Sequence, residues 1–328
     1  MSERHILVTG GFGFLGSTLV EQLLSDGVSF VHIVDNLSTS PIDHEAFVRR
    51  LNNPRLSFDI ASIEEYFARG IFAPFQEIYH LASVVGPVGV LEHGGTITKS
   101  ITDDTYRVVD IARKTGGRLC DVSTSEIYGG GRDGYCSEND SKIITSKISA
   151  RLEYAVGKLA CEIALVNMCR MTGLFAVIIR PFNIAGPRQS GKGGFVLPRF
   201  IKQCLANEPL TVYGDGSMIR AFTHVSDVAD GIIRALRGGR TGEAYNIGNP
   251  HNKISIRELA EHVVRITGSQ SRIDFVDPKK LFGPLFEEAN DKYPDADKAI
   301  TELGWNPKHT LESVIQASVE YIRAGRVD

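Results

Sequence analysis

The chain has 328 residues, enough for two packed lobes around a sizeable core. Hydrophobic residues make up 42% and charged residues 23%, which excludes disordered, collagen-like and coiled-coil chains. Lys and Arg number 36 against 39 Asp and Glu, a formal charge of −3 with no basic excess for nucleic acid, and no run nears the roughly 20 apolar residues of a membrane span.

Met1-Ser2-Glu3-Arg4 leads straight into an apolar run, without the long apolar core or small-residue cleavage site of a secretory signal. Apolar, β-branched runs at 5–9, 30–35, 56–59, 77–81, 118–123 and 175–180 predict strands. Amphipathic stretches at 17–25, 98–114 and 149–172 predict helices between them. This alternation, with near-continuous apolar strands, predicts an α/β doubly wound parallel sheet covered on both faces. The pattern changes after residue 180. A Gly-, Pro-, Lys- and Ser-rich loop at 186–194 precedes a helix at 195–207, the short strand Leu210–Tyr213 and a Gly-Asp-Gly turn at 214–216. A helix at 225–237, the strand Ala244–Ile247 and helices at 256–266 and 310–322 complete a smaller α/β lobe. The expected division is 1–180 and 181–328, with some late elements returning to the first lobe.

The five cysteines (Cys120, Cys136, Cys161, Cys169 and Cys204) are odd in number and form no C-x-x-C pair. They read as buried thiols in a reducing, cytoplasmic compartment, with no metal site expected.

Thr9-Gly10-Gly11-Phe12-Gly13-Phe14-Leu15-Gly16 follows the first strand and opens a helix. Glycine at 10, 13 and 16 suits a tight turn, close approach to a pyrophosphate and close helix–sheet packing. The helix start offers free N–H groups and a positive dipole end to phosphates. Asp35 follows 19 residues after Gly16, at the end of the second strand. A carboxylate there accepts hydrogen bonds from a ribose diol and repels a 2′-phosphate, so NAD is the expected cofactor. Asp59, near the end of the third strand, is a candidate for the adenine. Tyr154 and Lys158 stand four apart in a helical pattern and share a face. A phenol of ordinary pKa about 10 is a poor base at neutral pH. The nearby ammonium and a nicotinamide cation are expected to lower it, so that it takes a hydroxyl proton while hydride leaves the same carbon.

With these residues in view the chain resembles the extended short-chain dehydrogenase/reductases, in the NAD-dependent branch that modifies nucleotide sugars. Further matching runs are Asp35-Asn36-Leu37, His80-Leu81-Ala82, Ser123-Thr124-Ser125-Glu126-Ile127-Tyr128-Gly129 and Arg180-Pro181-Phe182-Asn183. Tyr213-Gly214-Asp215-Gly216, Arg220-Ala221-Phe222-Thr223-His224-Val225 and Leu303-Gly304-Trp305-Asn306-Pro307 extend the resemblance over essentially the whole chain. It implies a Rossmann sheet at 1–180, a nucleotide-sugar lobe at 181–328, and a homodimer formed through the helices at 98–114 and 149–172. It implies cofactor contacts from Gly10, Gly13, Phe14, Leu15, Gly16, Asp35, Asn36, Asp59, Ile60, Leu81, Ala82, Tyr154, Lys158 and Pro181. Thr124 is expected to orient the sugar's 4-hydroxyl beside Tyr154, and Lys158 to hold the nicotinamide ribose. Asn183 and Arg220 are expected on the substrate diphosphate, with Val196, Leu197 and Tyr213 enclosing the base and ribose.

In this branch oxidation at sugar C4 comes first, and the residues beside it decide the outcome. Ser125 and the acid Glu126 resemble those of nucleotide-sugar 4,6-dehydratases and UDP-glucuronate decarboxylases. Arg151, three residues before Tyr154, resembles the decarboxylases and reaches the same helix face, where it could engage a C6 carboxylate. Lys292-Tyr293-Pro294-Asp295 stands where decarboxylases usually have Arg-x-Pro-Asp, so a point-like ammonium takes the place of a bidentate fork. The resemblance is strongest to UDP-glucuronate decarboxylases. A 4,6-dehydratase or a 4-epimerase on the same scaffold is the alternative, and a non-catalytic NAD(H)-sensing binding protein is the alternative of another class.

Overall fold

The computed structural model describes residues 3–27, 29–129, 135–144, 146, 148–192, 194–283 and 291–325. A seven-stranded parallel sheet forms the centre, made of β1 (Arg4–Thr9), β2 (Ser29–Asp35), β3 (Leu56–Ile60), β4 (Glu77–His80), β5 (Arg118–Val122), β6 (Ala176–Pro181) and β7 (Ala244–Ile247). Their spatial order is β3-β2-β1-β4-β5-β6-β7, so the winding reverses between β1 and β4. A ligand crevice belongs at the carboxyl ends of the strands on either side of that reversal.

The strands are apolar on both faces because both are covered. Ile6, Val8, Tyr79, Cys120, Val177 and Ile179 pack under the helices α1 (Phe14–Leu24) and α4 (Val225–Gly238). Leu7, Ile78, Leu119, Ala176 and Ile178 face α2 (Ile97–Thr115) and α3 (Ala150–Thr172). The alternation within each strand assigns every polar residue to one helix layer or the other.

Helix α1 starts at Phe14, earlier than periodicity predicts, because glycine lowers helix propensity in a sequence window. The glycines are kept there by contact. A Cβ on Gly16 would stand 2.0 Å from the Gly10 carbonyl oxygen. Gly10 itself has φ +72° and lies against the backbone of Leu81 and Ala82, where a Cβ would come within 2.8 Å of a nitrogen.

The smaller lobe has its own core. Phe200, Leu259 and Ile315 join three helices, Val196–Leu205, Ile256–Thr267 and Leu311–Arg323. The strand Leu210–Tyr213 pairs in parallel with Ile273–Val276 beside them. The lobes interleave along the chain, since α4, β7 and the buried residues Ala299, Leu303 and Trp305 belong to the core of the large sheet. No helix among the described residues is long and apolar enough to cross a membrane, and no cluster of metal-ligating side chains occurs among them.

Candidate active site

The glycine loop joins β1 to α1 at the sheet's carboxyl edge. Gly13 caps α1 in an extended conformation with no side-chain cap, so the first-turn amides of Phe14, Leu15 and Gly16 are open to an anion. Asp35 closes the loop from β2. Its carboxylate accepts from the Phe12 amide at 2.9 Å and the Leu37 amide at 2.8 Å, each oxygen keeping acceptor capacity for a diol. Burial pushes the Asp35 carboxyl upward, and these amides oppose it. Asn36 is exposed and spends its carbonyl on Ser38. Leu81 and Ala82 donate their amides to the Thr9 hydroxyl at 3.2 and 3.3 Å, which fixes the rim opposite the loop. Asp59 points the other way from Ile60, into an ion pair with Arg69 at 2.7 Å and a hydrogen bond with the His32 ring at 3.0 Å, while Ile60 is 46% exposed. These features fit a dinucleotide: an uncapped helix start, a cradle that a Cβ would fill and a carboxylate at the ribose position.

Helix α3 carries the catalytic candidates. Ser149 caps it by accepting from the Leu152 amide at 3.2 Å, which sets Arg151, Tyr154 and Lys158 on successive turns. Tyr154 and Lys158 are both buried. Thr124 leaves β5 in extended conformation, and its Oγ1 accepts from the Glu126 amide at 3.1 Å. The expectation that Lys158 lowers the Tyr154 pKa needs correction for this state. Burial pushes the phenol above its ordinary 10.0, Glu126 and Asp121 add to that, and a hydrogen bond from Thr124 opposes it. The physical reason is burial of the phenol, while Lys158 Nζ is turned to the Val122 carbonyl, to which it donates at 2.8 Å.

Glu126 is the electrostatic hub. Arg151 reaches its Oε2 through Nε at 2.7 Å, and Lys292 Nζ binds its Oε1. Burial pushes the Glu126 carboxyl up, but Lys292 and Arg151 together hold it well below the usual carboxylate range. Burial lowers the Lys292 ammonium to about 8, against the pull of Glu126. Two cations face one carboxylate, so the cluster carries one net positive charge. Ser125 is buried beside it.

The nucleotide-side candidates come from the smaller lobe. Asn183 has φ +31°, and its buried Nδ2 lacks a hydrogen-bond partner, as a donor awaiting a ligand oxygen would. Pro181 ends β6 just before it. Arg220 is buried, donates to the Ile219 carbonyl at 2.9 Å and lies beside Lys292 in a parallel bridge. Tyr213 stacks under the Arg199 guanidinium at 3.9 Å. Val196 and Leu197 open an uncapped helix, but Leu197 is 1% exposed and lies within the lobe's core.

Sequence reading passed over a second polar layer behind Lys158. Glu162 binds Arg180 through contacts of 2.7, 3.1 and 3.2 Å, and Ser123 donates to it. Asp121 is fully buried on β5, and both its oxygens lack a hydrogen-bond partner. The signal was an acid inside the apolar run Leu119-Cys120-Asp121-Val122.

Comparison with known proteins agrees with this geometry. A family model described as "NAD dependent epimerase/dehydratase family" matches residues 6–248. The UDP-N-acetyl-alpha-D-glucosaminuronate decarboxylase of Bacillus cytotoxicus is 32% identical over 323 residues, covering 98% of each chain. UDP-glucuronic acid decarboxylase 1 of Xenopus tropicalis is 32% identical over 98% of this chain and 72% of its own. Among solved structures, UDP-glucuronic acid 4-epimerase from Bacillus cereus, in complex with UDP-glucuronic acid and NAD, superposes with a TM-score of 0.83 at 27% identity, covering 98% of this chain and 99% of that one.

Proposed function

The chain belongs to the NAD-dependent epimerase/dehydratase family, as an enzyme of nucleotide-sugar modification, and from that premise we propose that it decarboxylates a nucleotide-linked hexuronate, with UDP-glucuronate as substrate. One observation carries the reading: the net positive charge of the Arg151–Glu126–Lys292 cluster, next to Tyr154 and Thr124. A neutral hexose brings nothing to balance that charge, whereas a C6 carboxylate does. The two decarboxylase relatives support the same choice.

When bound, NAD supplies the acceptor for the C4 hydride. Tyr154 Oη, as phenolate, takes the C4 hydroxyl proton, with the Thr124 hydroxyl orienting that oxygen. Lys158 would hold the nicotinamide ribose. Asn183 and Arg220 hold the diphosphate. Oxidation makes the C6 carboxylate a β-keto acid. The C5–C6 bond then breaks, carbon dioxide leaves, and the electron pair of that bond forms an enolate that takes a proton from water at C5. Arg151 and Lys292 hold the carboxylate until it departs. Glu126, kept ionised by the same cations, is a charge partner and a weak base.

A second reading, 4-epimerisation of the same hexuronate, draws on the similarity to the Bacillus cereus epimerase. Incubation with UDP-glucuronate and NAD, followed by mass spectrometry of the nucleotide product, tests both. Loss of carbon dioxide, with the further loss of two hydrogens where the 4-ketone is released unreduced, is the expected result. An unchanged mass at a new retention time replaces it with epimerisation, and loss of water from UDP-glucose, run in parallel because a C6 carboxylate offers no hydroxyl to eliminate, replaces it with dehydration.

A further inference from the structure

Thr9, His80 and Asp121 are register partners across the carboxyl ends of β1, β4 and β5, all facing the α2–α3 layer. Their hydrogens can be assigned. The Thr9 hydroxyl accepts from two amides, Leu81 and Ala82, so its one proton goes to His80 Nδ1 at 2.8 Å. His80 is therefore neutral with its hydrogen on Nε2, 4.0 Å from Asp121 Oδ1 and too far for a hydrogen bond. The same layer holds two buried cations and two buried carboxyls. Arg180 and Glu162 satisfy each other through their fork. That leaves Lys158 and Asp121. The lysine anchors on the carbonyl of Val122, the residue after Asp121, and its charge acts on the Asp121 carboxyl.

We propose that Asp121 is a positioning residue whose buried, unpartnered charge opposes the Tyr154 phenolate, so that it sets the pH at which the phenol ionises. The inference rests on the reading of Tyr154 as the base. The charged and titratable groups around Asp121 are His80 from β4, Cys120 from its own strand, Arg180 from β6, and Tyr154, Lys158, Cys161 and Glu162 from α3. Helix α2 buries no charged residue. Burial raises the Asp121 carboxyl to about 6, with Lys158 opposing and Glu162 adding. Asp121 is thus ionised wherever a phenol titrates, and its charge disfavours phenolate.

The test uses the protein loaded with NAD. Tyrosinate absorbance is titrated for each protein against the same protein carrying Tyr154→Phe, which isolates the one phenol. Asp121→Asn is expected to lower the midpoint by about 0.5–1 pH unit, and Asp121→Glu to return it towards wild type. An unchanged midpoint in folded Asp121→Asn overturns the proposal. Should that variant fail to fold, Asp121→Ser carries the same comparison. No sugar nucleotide is present, so the substrate assignment is not at stake. If Tyr154 shows no ionisation in wild type, the base reading fails and takes this inference with it.

Discussion

Burying an ammonium costs several kcal/mol unless its charge is met, and Lys292, at 3% exposure, meets Glu126. Such a residue is conditional: removing its charge alters what the pocket admits. Lys292→Met is expected to raise KM for UDP-glucuronate about 10–100-fold while NAD binding, read by fluorescence titration, stays unchanged. Because burial puts the ammonium at about 8, KM for wild type should climb as pH rises through that value, and the variant should lose the climb. A flat profile in both would remove Lys292 from carboxylate recognition. At this scale the sequence was informative where chemistry is local. Tyr154 and Lys158 lie on one helix, and Gly10, Gly13 and Gly16 on one loop. For Asp121 it offered only an acid inside an apolar run, which does not say whether water or a lysine faces it.

Among the elements, α4 is joined to the 308–309 segment by a stack of imidazoles. His224 caps α4 by accepting the Ser226 amide on Nδ1 at 3.2 Å, and its ring lies 3.9 Å from that of His309, which Asp227 holds at 3.0 Å. Accepting on Nδ1 requires a neutral ring, and burial, then His309, push His224 down to about 4 from 6.5. The folded group binds its proton less readily than the unfolded one. Its contribution is complete above pH 6.5 and is lost as pH falls through the folded value. Thermal melts from pH 7 to 4 should show a decline on the order of 1–3 kcal/mol from this site. His224→Asn, which keeps a capping acceptor, should flatten that decline, and an identical slope in the variant would locate the pH sensitivity elsewhere. Periodicity predicted α4 but not this junction, because the 309 segment returns from far along the chain.

At the scale of the whole molecule, α2 and α3 lie side by side and expose Tyr106 at 49% and Ile163 at 55%. We propose that this face pairs with the same face of a second copy, giving a dimer of the 35.9 kDa chain. Ile163→Asp should shift the light-scattering mass from twice the chain to one chain without lowering the melting temperature of the monomer. A wild type already at one chain mass would remove the dimer. What the sequence by itself determined was whatever repeats along the chain or sits within one turn of it: the alternation of strands and helices, the glycine loop with Asp35, and the phenol–ammonium pair. Tertiary structure alone decided the Arg151–Glu126–Lys292 cluster, whose members stand 25 and 166 residues apart. It also decided the turning of Asp59 towards Arg69 and the burial of Asp121 behind Lys158. Local periodicity reports which way a side chain faces, whereas charge compensation depends on which distant segment the fold brings opposite it.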